Sequence, residues 1–156
     1  MALGGPMTFE RILLPTDGSD VSDPATERAI DLAAASDAEL VVCSVVERYA
    51  LPIGEHREGL TQTLETEAQE FVDRVVDQAR ATGIETVQGI VPTGKPHEAI
   101  LQTAAERGCD LIVMGTHGRA AHQPYILGSV TARVLQGTDI EVLVVPTHHD
   151  SQDTST

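Results

Sequence analysis

The stretch Asp110-Leu-Ile-Val-Met-Gly-Thr-His-Gly118, with nine residues between it and Gly128-Ser129-Val130, decides how the rest of the chain is interpreted. Its apolar first half predicts a buried strand, and the glycines after it indicate a loop that leads into a helix. Gly115 and Gly118 would allow positive φ, so that successive N–H groups converge on an anion. The helix start at Gly128 would add unpaired N–H donors, and Ser129 a hydroxyl. The spacing favours a phosphate-binding loop over glycines that only punctuate a strand–loop–helix connection.

Five short apolar runs, rich in β-branched residues, alternate along the chain with segments of helical spacing. The predicted strands are Phe9 to Pro15, Glu39 to Val46, Glu85 to Val91, Asp110 to Met114 and Ile140 to Val145. The predicted helices begin at Asp23-Pro24, Leu60, Pro96 and Leu127, and the last three of them end at Gly83, Gly108 and Gly137, with a loop from Arg48 to Gly59.

This alternation predicts an α/β fold: a single-domain, doubly wound, five-stranded and mostly parallel sheet with about four helices. We expect residues 1–8 to be an N-terminal extension, 9–146 the domain and 147–156 a flexible polar tail. Ligands of such sheets bind outside the carboxyl ends of the strands, where the strand order reverses. The loops after the first and fourth predicted strands are the candidates, because they carry Asp17 and the glycine motif.

Composition limits the partners and the compartment. The 156 residues carry 24 acidic against 10 basic side chains, a formal charge of −14, which argues against nucleic acid as a partner. Lys95 is the only lysine, and the acidic, Arg-biased composition suggests adaptation to a salt-rich cytosol, in which screening would let an anionic ligand approach. No apolar run is long enough to span a membrane. Cys43 and Cys109 have neither zinc-like spacing nor a disulfide-rich pattern, so we expect buried free thiols. We therefore expect a cytoplasmic protein without a membrane partner.

Two other features could carry chemistry, and neither is favoured. Gly89 to Lys95 nearly matches a P-loop, but Pro96 stands where that motif needs a hydroxyl, so a strand end and a helix start are expected instead. His117 lies in the glycine loop without a nearby carboxylate to orient it as a base. No catalytic residue and no protein-held metal site is predicted.

Taken together, these residues resemble the universal stress protein family, specifically its ATP-binding branch. The resemblance runs from about Phe9 to Pro146 and includes the family pattern of Gly, two residues, Gly, nine residues, Gly-Ser. The other matching segments are Ile12 to Ser19, Gly94 to Glu98 and Val142 to Pro146. The spacer departs from the common pattern at Pro124, which removes an N–H and fixes the path of that segment.

The resemblance implies an ATP site and names its residues. Adenine and ribose would lie near Pro15, Thr16, Asp17 and the backbone of Val45, with Met114 and Gly115 beside them, and the triphosphate would rest on Gly118, Gly128, Ser129 and Val130. A divalent ion such as Mg²⁺ would be held mainly by the phosphates. Main-chain N–H groups at a helix start can bind phosphate without a basic side chain, so this assignment agrees with the physical chemistry of the motif.

Three functions follow as hypotheses. The first is a nucleotide-dependent regulatory module of a stress response, which acts on an unknown protein partner and forms a homodimer through the final strand, where Glu141 to Val145 would be an apolar edge. The second is a slow ATP hydrolase that uses the same loop, although phosphoryl transfer normally needs a base and a held metal that the sequence does not reveal. The third is a nucleotide-free dimeric scaffold, in which the glycines are structural.

Overall fold

The computed structural model describes residues 8–17, 23–47, 57–116 and 128–146. In these ranges five strands alternate with four helices. The strands are β1 (Arg11–Pro15), β2 (Glu39–Cys43), β3 (Val87–Ile90), β4 (Leu111–Gly115) and β5 (Glu141–Val145). The helices are α1 (Pro24–Ser36), α2 (Arg57–Ala81), α3 (Pro96–Arg107) and α4 (Ser129–Gly137).

The strands form one parallel sheet in the order β3-β2-β1-β4-β5. The chain winds outward from β1 to β3, crosses back, and continues on the other side of β1 with β4 and β5. The order therefore reverses between β1 and β4, which places the carboxyl ends of these two strands beside a natural crevice. The predicted doubly wound α/β fold is confirmed.

Each face of the sheet is covered by a pair of helices. Ile12 and Leu14 of β1 belong to the apolar cluster that also contains buried residues of α1 and α2. Leu13 points to the opposite face, in a second cluster with Ile100 of α3 and Val134 of α4. Alternate residues of a strand thus enter two different cores, which explains why the strand sequences are apolar throughout.

The predicted start of α1 and the predicted end of α3 are confirmed by their capping geometry. The carboxylate of Asp23 accepts a hydrogen bond from the N–H of Ala25, and Pro24 occupies the first turn of α1. Gly108 closes α3 in the left-handed conformation, with a φ of 66°. Four of the strands are shorter than expected, and β4 has the predicted length but is shifted by one residue. Beyond Cys43, Val46 makes only an isolated bridge with Thr93. The predicted loop up to Gly59 is wrong at its end, because α2 already begins at Arg57.

Helix α2 extends beyond the sheet that it covers. Its 25 residues span about 37 Å, whereas a five-residue strand spans about 17 Å. Most of its buried residues lie between Phe71 and Ala79, while Leu60 and Leu64 are 41% and 36% exposed. The amphipathic pattern correctly predicted the helix, and Leu64, Glu67 and Ala68 of its first half border the crevice.

At the amino ends of the strands, polar side chains form a hydrogen-bonded network. The Glu39 carboxylate accepts hydrogen bonds from Arg11 Nε at 2.8 Å and from Gln88 Nε2 at 2.7 Å. Arg107 donates to the side-chain oxygen of Gln88, and Arg11 donates to the carbonyl of Arg107 at 2.7 Å. These bonds link the first three strands to the end of α3, so that the amino edge of the sheet is occupied by its own side chains.

Candidate functional site

A crevice of about 850 Å³ opens at the carboxyl ends of the strands, where the strand order reverses. Its floor is formed by the ends of β1, β2 and β4, and its walls by the starts of α3 and α4 and by the first half of α2. The volume lies in the usual range for small-molecule sites in proteins.

The crevice gathers the residues that the sequence predicted. Those that line it are Pro15, Thr16, Asp17, Val45, Met114, Gly115, Gly128, Ser129 and Val130. The tenth, Gly118, lies outside the described residues, as do His117, Pro124 and nearly all of the predicted extension and tail. Segments more than 100 residues apart in sequence therefore meet at one edge of the sheet.

The end of β4 is fastened to the start of α4 by two hydrogen bonds. The N–H of Gly128 donates to the carbonyl of Thr116 at 2.6 Å, and the hydroxyl of Thr131 donates to the carbonyl of Gly115 at 2.9 Å. Two details of the sequence prediction are thereby wrong. Gly115 is the last residue of β4 and pairs with Val145, so it is extended and does not have positive φ. The N–H of Gly128 is already bonded to the carbonyl of Thr116, so it is not one of the unpaired donors.

The unpaired donors at α4 lie one residue further along. Gly128 is the N-cap, with φ −63° and ψ 151°, and its carbonyl accepts the first helical hydrogen bond, from Ala132 at 3.0 Å. The N–H groups of Ser129, Val130 and Thr131 therefore have no partner within the helix. The first turn of α4 contains no acidic residue that would neutralise its positive end. Three amides and a helix dipole thus favour an anion at this wall of the crevice.

The other charged groups of the crevice are mostly acidic. Among the described lining residues, the carboxylates are those of Asp17, Asp23, Glu47, Glu67 and Glu70. Arg74 is the basic residue of the same described set, and its guanidinium lies 5.6 Å from the centre of the Phe71 ring. The sequence analysis did not predict that α2 lines the crevice, although the length of its helical pattern was a signal for this. An anionic ligand must therefore be held mainly by main-chain donors.

Cys43 reaches the crevice as an inert thiol. It is buried at the end of β2, and this burial, reinforced by the nearby Cys109, raises the pKa of the Cys43 thiol to about 12. Cys109 is also free and buried, and burial raises its pKa to about 11. Both side chains are protonated at neutral pH and are poor nucleophiles. The expectation of buried free thiols is confirmed.

The segment that resembles a P-loop is a structural connection. Gly89 lies within β3, against Val72 of α2, and Lys95 is the N-cap of α3 with an exposed side chain. The turn between them is held by hydrogen bonds to Val46, whose N–H donates to Pro92 and whose carbonyl accepts from Gly94. The prediction of a strand end followed by a helix start is confirmed.

The described part of the chain lacks two general features. It contains no group of three or more His, Cys, Asp or Glu side chains arranged to hold a metal ion. None of its helices is both long enough and apolar enough to cross a lipid bilayer.

The fold and this site define a class: doubly wound α/β proteins with a small-molecule crevice at the switch point and an anion-binding helix start in its wall. The model of the "Universal stress protein family" matches residues 8–146. Universal stress protein MJ0531 of Methanocaldococcus jannaschii is 35% identical over 144 residues, which are 90% of this chain and 84% of that protein. The chain belongs to the universal stress protein family, as the sequence resemblance indicated.

Solved structures of the family have the same fold. The structure of MJ0577, another universal stress protein of Methanocaldococcus jannaschii, superposes with a TM-score of 0.81 at 27% identity and covers 92% of this chain and 100% of its own. A universal stress protein crystallised in complex with cAMP gives a TM-score of 0.69 at 26% identity, over 91% of this chain and 100% of its own.

Proposed function

We propose that the crevice binds an adenine nucleotide, ATP in the first instance, with its phosphates at the start of α4. The observation that carries this proposal is the set of three amides, of Ser129, Val130 and Thr131, which have no partner within the helix and lie at the switch-point crevice. The relative that binds cAMP supports an adenine nucleotide as the ligand class. The crevice volume is also large enough for a nucleotide.

The nucleoside would lie at the ends of β1, β2 and β4. Val45 and Met114 offer apolar surface for the base, since both pack at the edge of the α3–α4 core. Asp17 has an exposed carboxylate that could accept hydrogen bonds from ribose hydroxyls. Pro15, Thr16 and Gly115 complete the described floor of this half, and we assign Gly118 to the phosphates by family resemblance.

We further propose binding without efficient turnover, so that residues 9–146 act as one nucleotide-binding regulatory domain in a stress response. Phosphoryl transfer usually relies on cations that neutralise the developing charge. The basic residue among the described lining residues, Arg74, projects from α2 and not from α4, and a Mg²⁺ ion would have to be held mainly by the phosphates themselves. Slow hydrolysis is the alternative outcome of the test below.

We propose that the chain forms a homodimer through β5, and that nucleotide binding acts on a protein partner through this dimer. β5 is an edge strand, and Val142 to Val145 are all partly exposed, so its free side could pair with the same strand of a second copy.

The two free thiols are consistent with a reducing, cytoplasmic compartment.

Substitutions at Ser129 test the phosphate site. Ser129→Pro removes one donor amide. We expect the fold to tolerate it, because proline suits the first helical position and Gly128 already has the extended conformation required before a proline. Ser129→Ala is the matched control, which keeps the amide and loses the hydroxyl. We expect calorimetry to show that Ser129→Pro weakens ATP binding about tenfold and that Ser129→Ala weakens it less.

Equal ATP affinity in the wild type and Ser129→Pro would contradict the phosphate assignment. Release of radiolabelled phosphate from ATP, measured on the same samples, separates the two activities. If the wild type releases phosphate and Ser129→Pro does not, the protein is a slow ATP hydrolase and the proposal of binding without efficient turnover is wrong.

A further inference from the structure

Thr131 makes an unusual hydrogen bond for a threonine in a helix. Its side chain is only 4% exposed, and its hydroxyl donates to the carbonyl of Gly115, 16 residues earlier in the chain. Threonines in helix interiors commonly bond to a carbonyl of the preceding turn of the same helix. Thr131 is the third residue of α4, so no such turn precedes it, and its hydroxyl reaches across to the end of β4.

This bond acts together with the amide of Gly128. The carbonyls of Gly115 and Thr116, consecutive in the chain, are each bound to the start of α4, one by Thr131 and the other by Gly128. The end of β4 is itself fixed in the sheet, because Gly115 pairs with Val145 and the N–H of Thr116 donates to the Val145 carbonyl at 3.1 Å. The first turn of α4 is thereby attached to the sheet at two points.

We propose that Thr131 is a positioning residue of the phosphate site, and this inference rests on the function proposed above. Its hydroxyl fixes the rotation and height of the first turn of α4, and so sets where the amides of Ser129 and Val130 point. The hydroxyl does not donate to phosphate itself, because its proton is already shared with the Gly115 carbonyl. Loss of this bond would leave the donors present but misdirected.

Three variants separate this role from a general effect on the core. Thr131→Val keeps the shape of the side chain and removes the hydroxyl, while Thr131→Ser keeps the hydroxyl. Thr26→Val is the matched control: Thr26 is fully buried in α1, and its hydroxyl has no hydrogen-bond partner in the structure as described, so the same substitution breaks no bond.

Calorimetric titrations with ATP and with adenosine provide the readout. One hydrogen bond corresponds to about a fivefold change in affinity, so Thr131→Val should bind ATP about five- to tenfold more weakly, with adenosine binding changed by less than about twofold. Thr131→Ser and Thr26→Val should resemble the wild type for both ligands. The inference is overturned if Thr131→Val leaves ATP affinity unchanged, or lowers the affinities for ATP and adenosine equally.

A second measurement decides the inference if the wild type binds no nucleotide and the proposed function fails. Hydrogen exchange of the Gly128 amide reports the attachment directly, since this N–H is bonded to Thr116. Thr131→Val should accelerate its exchange about tenfold relative to the wild type and to Thr131→Ser. Equal rates in the three proteins would show that the hydroxyl does not hold the first turn of α4.

Discussion

Replacing Gly89 by alanine tests both the packing of α2 on the sheet and the interpretation of the segment that resembles a P-loop. Gly89 lies in β3 and pairs with Val42, and α2 crosses directly over it. A Cβ atom at this position would overlap with Cγ1 of Val72 and would lie 3.2 Å from Cγ2 of Val76. Val72 is completely buried, and close-packed protein interiors leave little free volume into which its side chain could move.

The cost of Gly89→Ala follows from this contact. Forcing an extra methyl group into a packed core usually destabilises a protein by about 1 to 3 kcal/mol. We expect about 2 kcal/mol here, because the helix must shift away from the strand to restore a normal contact. In a chain of this length such a loss lowers Tm by about 4 to 8 °C.

Urea unfolding followed by circular dichroism would measure this loss. Gly59→Ala is the matched control, since Gly59 lies in α2 with no atom within 4 Å of the added Cβ. Helix propensity predicts that the control gains up to about 1 kcal/mol. ATP affinity should not change in either variant. A Gly89→Ala protein as stable as the wild type would refute the packing argument, and a stable one with lost ATP binding would restore the P-loop interpretation.

Further predictions concern the site, the thiols, the edge strand and salt. Ser129→Asp should weaken ATP binding by at least about tenfold without lowering Tm, because a carboxylate stabilises a helix start but repels phosphate; loss of both affinity and stability would contradict this. Raising the pH from about 8 to about 10.5 should destabilise the fold by about 2 kcal/mol through Cys43, whose thiol ionises near 9.0 when unfolded and at about 12 when folded, so that the unfolded state loses its proton first. In urea titrations, the free energy of unfolding of Cys43→Ala should fall by about 2 kcal/mol less over this pH range than that of the wild type. Val144→Lys should convert the proposed dimer to a monomer in light scattering, since Val144 is partly exposed on the edge strand; a monomeric wild type would reject the dimer. Finally, Tm should rise between about 0.1 M and about 2 M KCl, because salt screens a net charge of −14, and a constant Tm would reject adaptation to salt.

Much of the fold could be predicted because local signals agreed with the global arrangement. Apolar runs of strand length lay between helices with recognisable starts, such as Asp23-Pro24, and recognisable ends, such as Gly108. Alternation of this kind requires a parallel sheet with crossover helices, and the place where the strand order reverses locates the crevice. The individual lining residues were named from the resemblance to the universal stress protein family, and this alternation located only the loops that carry them.

The remaining details depend on contacts between distant segments. The sequence shows that Gly115 and Gly128 are glycines, but not that one is an extended strand residue and that the amide of the other is bonded to Thr116. Likewise the helical pattern of α2 does not reveal where the sheet beneath it ends, so the exposure of Leu60 and Leu64 was not foreseen. Thr131 was missed because its partner lies across the connection between β4 and α4.

The central claim, that this universal stress protein carries an adenine nucleotide in the switch-point crevice, has a direct test. The protein would be purified in molar KCl without added nucleotide and denatured, and the released small molecules identified by chromatography and mass spectrometry. We predict ATP or a related adenine nucleotide in near-stoichiometric amount, and much less from Ser129→Pro prepared in parallel. Absence of any nucleotide, followed by no detectable ATP binding in calorimetry, would contradict the account and favour the nucleotide-free scaffold.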